Sequence, residues 1–198
     1  MLRAMNLYIA RHGQTDWNID DRFQGSNDIP LNAVGREQAL ALAASVPRDI
    51  EQMVVSTQLR ARQTAEPVIA ALGVPVVYRD AFRERGFGVW EGHTHAQVRA
   101  FDAELYDGGG LFSFDRAPQQ AETMPEFVRR TGDGLRAIAR DYAGKTVLVI
   151  AHGFVIRTLR YQLEGLLPAE FRMIPKPING ELLHFAPEAV ERWLRKPA

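Results

Sequence analysis

Two short apolar segments, far apart in the sequence, each lead directly into a His-Gly pair. Residues 7–10 lead to Arg11 and His12, and residues 146–151 lead to His152. Apolar runs of this length next to polar turn residues are typical of strands buried in a sheet. Open α/β sheets bind ligands at the carboxyl ends of their strands. The pattern therefore predicts two buried strands whose ends bring two histidines to one site.

The other apolar patterns in the first half of the chain alternate between short strands and longer helices. Asn32 is a plausible N-cap for a helix that Pro47 ends, and residues 53–55 predict a strand. A helical pattern follows as far as Gly73, and Pro67 inside it predicts a kink or a new helix start. Such alternation favours an α/β three-layer sandwich, a mostly parallel central sheet with helices on both faces.

The second half of the chain predicts further elements of the same fold. Thr123 and Glu126 form a capping box ahead of a long helix, and residues 178–185 predict an edge strand. We expect a single domain over residues 1–198. Residues 93–122 are expected to form a small insertion, and its aromatic and glycine-rich sequence suits either a lid over a pocket or a packing excursion at the edge of the core.

Charge and cysteine content narrow the classes of partner. Lys plus Arg and Asp plus Glu both number 24, so no global field favours nucleic acid or an anionic membrane. No apolar segment approaches the length that spans a bilayer. The chain has no cysteine, which excludes a thiol nucleophile and Cys-bound zinc. We expect a cytoplasmic monomer or homodimer that binds a small molecule and neither nucleic acid nor membrane.

The residue types at the predicted sheet edge suit phosphate chemistry. Arg11 carries a forked permanent charge, neutral His12 is nucleophilic, and Gly13 would let the backbone approach a bound group. Arg60 follows the end of another predicted strand, which places it at the same edge. Glu84 lies in a glycine-punctuated loop with aromatic residues. Each of these residues alone could be an ordinary surface residue, and the second His-Gly pair argues for a shared site.

Several motifs resemble those of the histidine phosphatase superfamily, also called the phosphoglycerate mutase-like family. They are LYIARHGQTDWN at 7–18, DIPL at 28–31, STQLRARQTA at 56–65, the loop at 84–92 ending in WEG, and AHG at 151–153. The resemblance extends through nearly the whole chain. It implies a phosphoglycerate mutase-like fold and phosphoryl transfer that uses no metal and no cofactor.

The resemblance also implies a role for individual residues. The implied phosphorylated nucleophile is His12, the phosphate ligands are Arg11, Arg60 and a protonated His152, the proton donor is Glu84, and a further phosphate contact is Asn18. The physics agrees, because arginines nearby would keep His12 neutral and a bound phosphate would raise the pKa of Glu84.

Four neighbours of these motifs complete the predicted site. Gly153 is a candidate phosphate contact beside His152. Gln24, Gly25 and Phe154 are candidates for the rim that contacts the rest of the substrate.

Within this family, hydrolysis competes with transfer of phosphate between two hydroxyls. A mutase must hold a bisphosphate, but residues 96–120 contain only Arg99 and Arg116 as cations. The WEG ending also resembles the phosphatase branches. We therefore favour a phosphatase for small phosphate monoesters, with a cofactor-dependent phosphoglycerate mutase as the alternative.

Two more distant readings stay open. An inactive family member could act as a binding module, although all the expected catalytic residue types are present. A metal hydrolase could use some of the five histidines, including the pair His93 and His95.

Overall fold

Residues 5–195 are described by the computed structural model, and they contain one five-stranded sheet. The strands are β1 (Asn6–Arg11), β2 (Gln52–Ser56), β3 (Val76–Arg79), β4 (Thr146–Ala151) and β5 (Leu182–Phe185). The helices are α1 (Asp16–Ile19), α2 (Ala33–Ser45), α3 (Leu59–Leu72), α4 (His95–Phe101), α5 (Ala103–Asp107), α6 (Met124–Asp141), α7 (Gly153–Glu164) and α8 (Pro187–Leu194). The ends of the predicted domain, residues 1–4 and 196–198, lie outside the described residues.

The sheet places the two histidine-bearing strands next to each other. The strand order is β3-β2-β4-β1-β5, and β1 pairs in parallel with β4 so that Arg11 lies opposite Ala151. Strand β2 is parallel to β3 and β4, whereas β5 is antiparallel to β1 at the edge. The predicted mostly parallel sheet is confirmed, and His12 and His152 leave it side by side.

Helices cover both faces of this sheet. On β4, Val147 and Val149 belong to the core under α6, α7 and α8, whereas Leu148 and Ile150 belong to the core under α2 and α3. Strand side chains alternate between faces, so a strand buried on both sides is apolar throughout. The predicted three-layer arrangement is confirmed.

The helix caps follow the sequence pattern, and α3 continues through its internal proline. Asn32 Oδ1 accepts from Gly35 N at 2.8 Å, and Thr123 N donates to Glu126 Oε2 at 2.9 Å in the predicted capping box. Helix α3 runs through Pro67 and ends at Gly73, which has a φ of +65°. Of the two predicted alternatives, the new helix start is wrong, because one missing backbone hydrogen bond is offset by the burial of the helix against the sheet. The kink stays a prediction.

Strand β5 begins later than predicted. Glu181 N donates to Ile178 O at 3.2 Å and Gly180 has a φ of +78°, so residues 178–181 form a turn instead of a strand. This turn matters for the site, because it holds Asn179 beside the end of β1.

The predicted insertion at 93–122 contains α4 and α5, followed by a series of turns. Val98 packs with Trp90 in a small separate apolar cluster, and Phe112 and Phe114 pack against the larger core. The segment is therefore a packed wall beside the carboxyl edge of the sheet. Its closure over a substrate stays a prediction.

Candidate active site

His12 and His152 meet where β1 and β4 end. Their ring centroids are 5.1 Å apart, and the side chains are almost completely buried. His152 Nε2 lies 2.7 Å from Ser56 Oγ at the end of β2, so three parallel strands contribute to one point. The predicted convergence of segments more than a hundred positions apart is what the structure shows.

The backbone around His12 fixes the orientation of its ring. His12 Nδ1 lies 2.7 Å from Gly13 O, and only a protonated nitrogen can donate to a carbonyl oxygen. The proton is therefore assigned to Nδ1, which leaves the lone pair on Nε2. Gly13 N donates to Thr64 Oγ1 at 3.0 Å, and Asn179 Nδ2 donates to His12 O at 3.0 Å. The turn is thus held from two distant segments.

Close backbone packing also requires a glycine at position 13. A Cβ at Gly13 would overlap the carbonyl oxygen of Gly35, in the first turn of α2. The glycine therefore allows two backbones to touch, and its approach to a bound group stays a prediction.

Two buried arginines flank the histidines. Arg11 Nη1 donates to Pro177 O at 2.6 Å, and Arg60 donates to Asn27 O at 2.7 Å and Gly25 O at 3.2 Å. Within residues 5–195, neither has a carboxylate within 4.0 Å, and the Nε of each is buried without a partner. Buried charges are normally paired, so this arrangement is suited to an anion.

Glu84 faces this cationic pair from the loop after β3. Its carboxylate accepts from Arg85 N at 3.0 Å and from Phe154 N at 3.3 Å. A Cβ at Gly153 would lie 3.6 Å from Arg11 Nε and 3.9 Å from Glu84 Oε2. Gly153 therefore lies close to both the arginine and the carboxyl group, and its role as a phosphate contact stays a prediction.

Burial and charge shift the pKa values of the site. Burial, then Arg60 and Arg11, hold the pKa of His12 well below its usual range. Burial raises the pKa of Glu84, although Arg60 and the two backbone donors oppose it. The pKa of Arg60 falls to about 10, mainly through burial, so it stays charged at neutral pH. Neutral His12 and a carboxyl group that holds its proton more strongly suit a nucleophile and an acid.

The predicted protonated form of His152 does not fit the protein without a bound anion. Burial, followed by the charge of Arg60, lowers the pKa of His152 well below its usual value. The ring is therefore neutral, and its buried Nδ1 has no partner among the described residues. The negative charge of a bound phosphoryl group would act in the opposite direction.

A cavity of about 420 Å³ opens onto these groups. The sequence-predicted residues on its wall are Arg11, His12, Asn18, Gln24, Gly25, Arg60, Glu84, Gly153 and Phe154. The remaining candidate, His152, lies fully buried beside His12. The structure thus brings all the predicted site residues together.

Asn18 and Gln24 lie on the same wall, each with one end of its amide engaged. Asn18 Oδ1 accepts from Thr15 N at 3.1 Å and from Asn179 Nδ2 at 3.2 Å, so its amide nitrogen is the end that can meet an anion. Gln24 Nε2 donates to Thr15 Oγ1 at 2.8 Å, and its Oε1 is buried without a partner in the described part of the chain.

Sequence reasoning missed two residues that hold the site's loops together. Gln58 accepts from Glu84 N at 2.7 Å and donates to Gly25 O at 2.8 Å. The carboxylate of Glu91 accepts from Ser26 N and from Phe87 N, both at 2.9 Å. Gln58 lies in the motif at 56–65 and Glu91 in the loop at 84–92, but neither position alone indicates which loop it binds.

The cavity wall also contains cations that were not predicted. These are Arg22, Arg157, Arg172 and Lys176. Arg157 is the one with a detectable signal, because it interrupts the apolar run from Val155 to Leu159. A charged side chain is rarely found on the buried face of a helix unless it is paired.

The other three histidines do not join the pair at the site. His93 packs on Phe101, and His184 stacks on Tyr8. His95 lines the cavity rim and lies 2.8 Å from Tyr106 Oη through Nδ1. Within residues 5–195, no three His, Asp or Glu side chains are arranged to hold a metal ion. The donor set of the metal-hydrolase reading is therefore not assembled there.

This sheet, with its paired histidines and buried arginines at one edge, defines an α/β enzyme class built for phosphoryl transfer. The chain belongs to the histidine phosphatase superfamily, branch 1, whose family model matches residues 7–195. The predicted family is confirmed, and so is the predicted enzyme class, a histidine-type phosphomonoesterase.

Individual relatives agree with the phosphatase reading. The chain is 33% identical over 159 residues to the uncharacterized phosphatase PhoE of Bacillus subtilis, covering 79% of this chain and 76% of that protein. It is 33% identical over 169 residues to the glucosyl-3-phosphoglycerate phosphatase of Mycobacterium tuberculosis, covering 80% and 74%. The structure of a mycobacterial glucosyl-3-phosphoglycerate phosphatase with VO3 matches with a TM-score of 0.84 at 29% identity, covering 90% of each chain.

Proposed function

We propose that this protein hydrolyses small phosphate monoesters, without a metal ion, through a phosphohistidine at Nε2 of His12. The observation that carries the proposal is the 2.7 Å contact between His12 Nδ1 and Gly13 O. It directs the nucleophilic lone pair away from the backbone, while burial keeps the ring neutral.

In the first step, His12 Nε2 attacks phosphorus as the bond to the leaving oxygen breaks. Arg11 and Arg60 neutralise the phosphoryl oxygens through their forked N–H groups. His152 donates from an imidazole N–H, with Asn18 and Gly153 as further contacts. Protonated Glu84 gives its proton to the leaving alkoxide.

In the second step, Glu84, now a carboxylate, takes a proton from water. The water oxygen attacks phosphorus, the P–N bond breaks, and inorganic phosphate leaves with His12 regenerated. Both steps require that Glu84 exchange a proton readily, which its raised pKa supports.

Hydrolysis is favoured over a mutase reaction by the relatives that are named phosphatases, and the insertion itself adds no arginine or lysine to the described cavity wall. Arg99 pairs with Asp107 and Arg116 donates to Gly108 O, and neither belongs to the described cavity wall. The insertion contributes His95, Leu111 and Phe112 instead. This lining suits a leaving group with an apolar or aromatic part. Incubation with 3-phosphoglycerate and its bisphosphate, scored for isomer against free phosphate, separates the two reactions.

The test of the nucleophile uses 4-nitrophenyl phosphate with and without a chelator. His12→Ala should lose at least about 10³-fold in kcat, because the covalent step is gone. His184→Ala is the matched control, since its exposed ring lies outside the cavity. Mass spectrometry after an alkaline quench should find one added phosphoryl group on the His12 peptide of the unaltered protein.

Three results would contradict the proposal. They are inactivation by the chelator, turnover by His12→Ala near the normal rate, and hydrolysis of no monoester at all. The last result would favour the inactive binding module.

Among residues 5–195, none of the helices combines the length and the apolar composition of a membrane span. Small phosphate compounds are the partner class that its relatives support, and a cytoplasmic monomer or homodimer stays our prediction.

A further inference from the structure

The cavity contains more positive charge than one phosphoryl group needs. Its described wall has six cationic side chains and two carboxylates, although the whole chain is neutral. Arg11 and Arg60 belong to the proposed phosphate site. Of the others, Arg22 pairs with Asp20 at 3.0 Å, and Lys176 lies 3.9 Å from Asp21. The excess charge therefore lies with Arg157 and Arg172.

Arg157 is the buried member of this pair. It is only 5% exposed and extends from α7, the helix that begins directly after His152. Its hydrogen bonds run through Nη2, to the carbonyl oxygens of Phe171 and Arg172 at 3.1 and 3.2 Å. Its Nε has no partner in residues 5–195, and no described carboxylate lies within 4.0 Å of it.

Aromatic rings hold this guanidinium in place. Its central carbon lies 4.5 Å from the ring centroid of Phe112, 5.3 Å from that of Phe171 and 5.5 Å from that of Phe154. Rings of this kind stabilise a cation and orient its plane, but they do not neutralise its charge. Two of these rings, Phe112 and Phe154, line the same cavity.

We propose that Arg157 forms a second anion subsite, so that the preferred substrate is a phosphate monoester whose leaving group ends in a carboxylate. The inference rests on the proposed function, because it assigns the far end of the same substrate. Phe112 and Phe154 lie against the Arg157 guanidinium and line the same cavity, so they favour a carbon chain between the two anionic groups of the substrate. A terminal carboxylate is favoured over a second phosphate, because Arg172 is exposed to solvent and the buried Arg157 guanidinium by itself offers one charge.

The test compares phosphate esters of straight-chain ω-hydroxycarboxylic acids of increasing length with their methyl esters. The unaltered protein should prefer the acid at one chain length, by roughly tenfold in kcat/KM. Arg157→Met should reduce the acid-to-ester ratio to about one, because methionine fills the space between the rings without charge. Loss of structure would lower both rates and leave the ratio unchanged.

The control is Arg160→Met, which removes a cation from the same helix outside the cavity wall and should keep the ratio. Analogues with a terminal phosphate in place of the carboxylate test which anion the subsite prefers. A higher kcat/KM for these analogues than for the acids would overturn the carboxylate assignment. The proposal is overturned if no acid exceeds its methyl ester in the unaltered protein, or if Arg157→Met keeps the preference.

The experiments distinguish failure of the phosphatase proposal from failure of the subsite proposal. Hydrolysis of the methyl esters without any preference for the acids would retain the phosphatase and remove the subsite. If no compound is hydrolysed, the phosphatase proposal fails, and calorimetric binding of the same acids and esters still decides the subsite. Should Arg157→Met not fold, Arg157→Lys keeps a charge but loses the planar fork, and its ratio should fall between the other two.

Discussion

The two ends of the cavity are built in different ways. The phosphate end collects residues from the carboxyl ends of β1, β2 and β4, and its histidines and arginines are at most 5% exposed. The insertion wall consists of two short helices and turns, with half-buried Leu111 and Phe112 facing the cavity. Sheet register sets positions to within ångströms, whereas aromatic packing tolerates change. We infer that the phosphate end determines the chemistry and that the insertion wall determines substrate choice.

A conservative change at the phosphate end should impair activity most. Arg11→Lys keeps the charge but loses the fork and the contact to Pro177 O. We expect kcat/KM to fall about 10²-fold or more, equally for aryl and alkyl phosphates. Arg129→Lys, at an exposed position on α6, should leave both rates unchanged. A loss below threefold would show that a point charge suffices there.

Glu84→Gln tests the same end through the leaving group. Alkyl phosphates need a proton on the departing oxygen, so their hydrolysis should fall about 10²-fold, whereas 4-nitrophenyl phosphate should lose far less. Equal losses on both substrates would contradict the role of proton donor.

The pH profile of the unaltered protein follows from the same group. The acid form of Glu84 is the active one in the first step, and its raised pKa keeps that form present to higher pH than in an exposed glutamate. Alkyl phosphate hydrolysis should therefore decline on the alkaline side of this pKa, and nitrophenyl phosphate much less. The lowered pKa of His12 puts loss of the nucleophile at the acidic end. An alkyl profile that rises with pH through neutrality would reverse the assignment.

The difference between the phosphate end and the insertion wall also explains what could be predicted from sequence. His12 and His152 were found because apolar runs identify strands, and parallel strands end at one edge. Gln58 and Glu91 were missed as loop ties, because their partners are set by how loops fold back on the sheet. The sequence predicts a strand at Asn179, because the local pattern does not show that residues 178–181 form a turn.

Arg157 shows that the sequence also fails to reveal the distant neighbours of a charged residue. Its place in an apolar helix is visible in the sequence, and so is Phe154 three residues earlier on α7, but Phe112 and Phe171 come from other segments. Sequence spacing within one helix predicts contacts three or four residues apart, and it cannot supply neighbours from the insertion. The catalytic end was therefore accessible to motif reasoning, and the specificity end was not.

The smallest expected effect comes from the insertion wall itself. Phe112→Ala removes a ring that stacks on Phe154, with a centroid distance of 5.8 Å, and lines the cavity. We expect KM for aryl phosphates to rise about three- to tenfold through lost apolar contact, with kcat nearly unchanged. Phe101→Ala is the matched control, since that ring belongs to α4, is 52% exposed and packs on His93.

The split between kcat and KM decides what this wall does. If Phe112→Ala lowered kcat as severely as Arg11→Lys, the insertion would be positioning the reacting groups, and the two ends would not be separable. A rise in KM alone means that the wall holds the leaving group while the sheet edge performs the chemistry. Because Phe112 also lies against the Arg157 guanidinium, that rise should be larger for substrates with a terminal carboxylate than for their methyl esters.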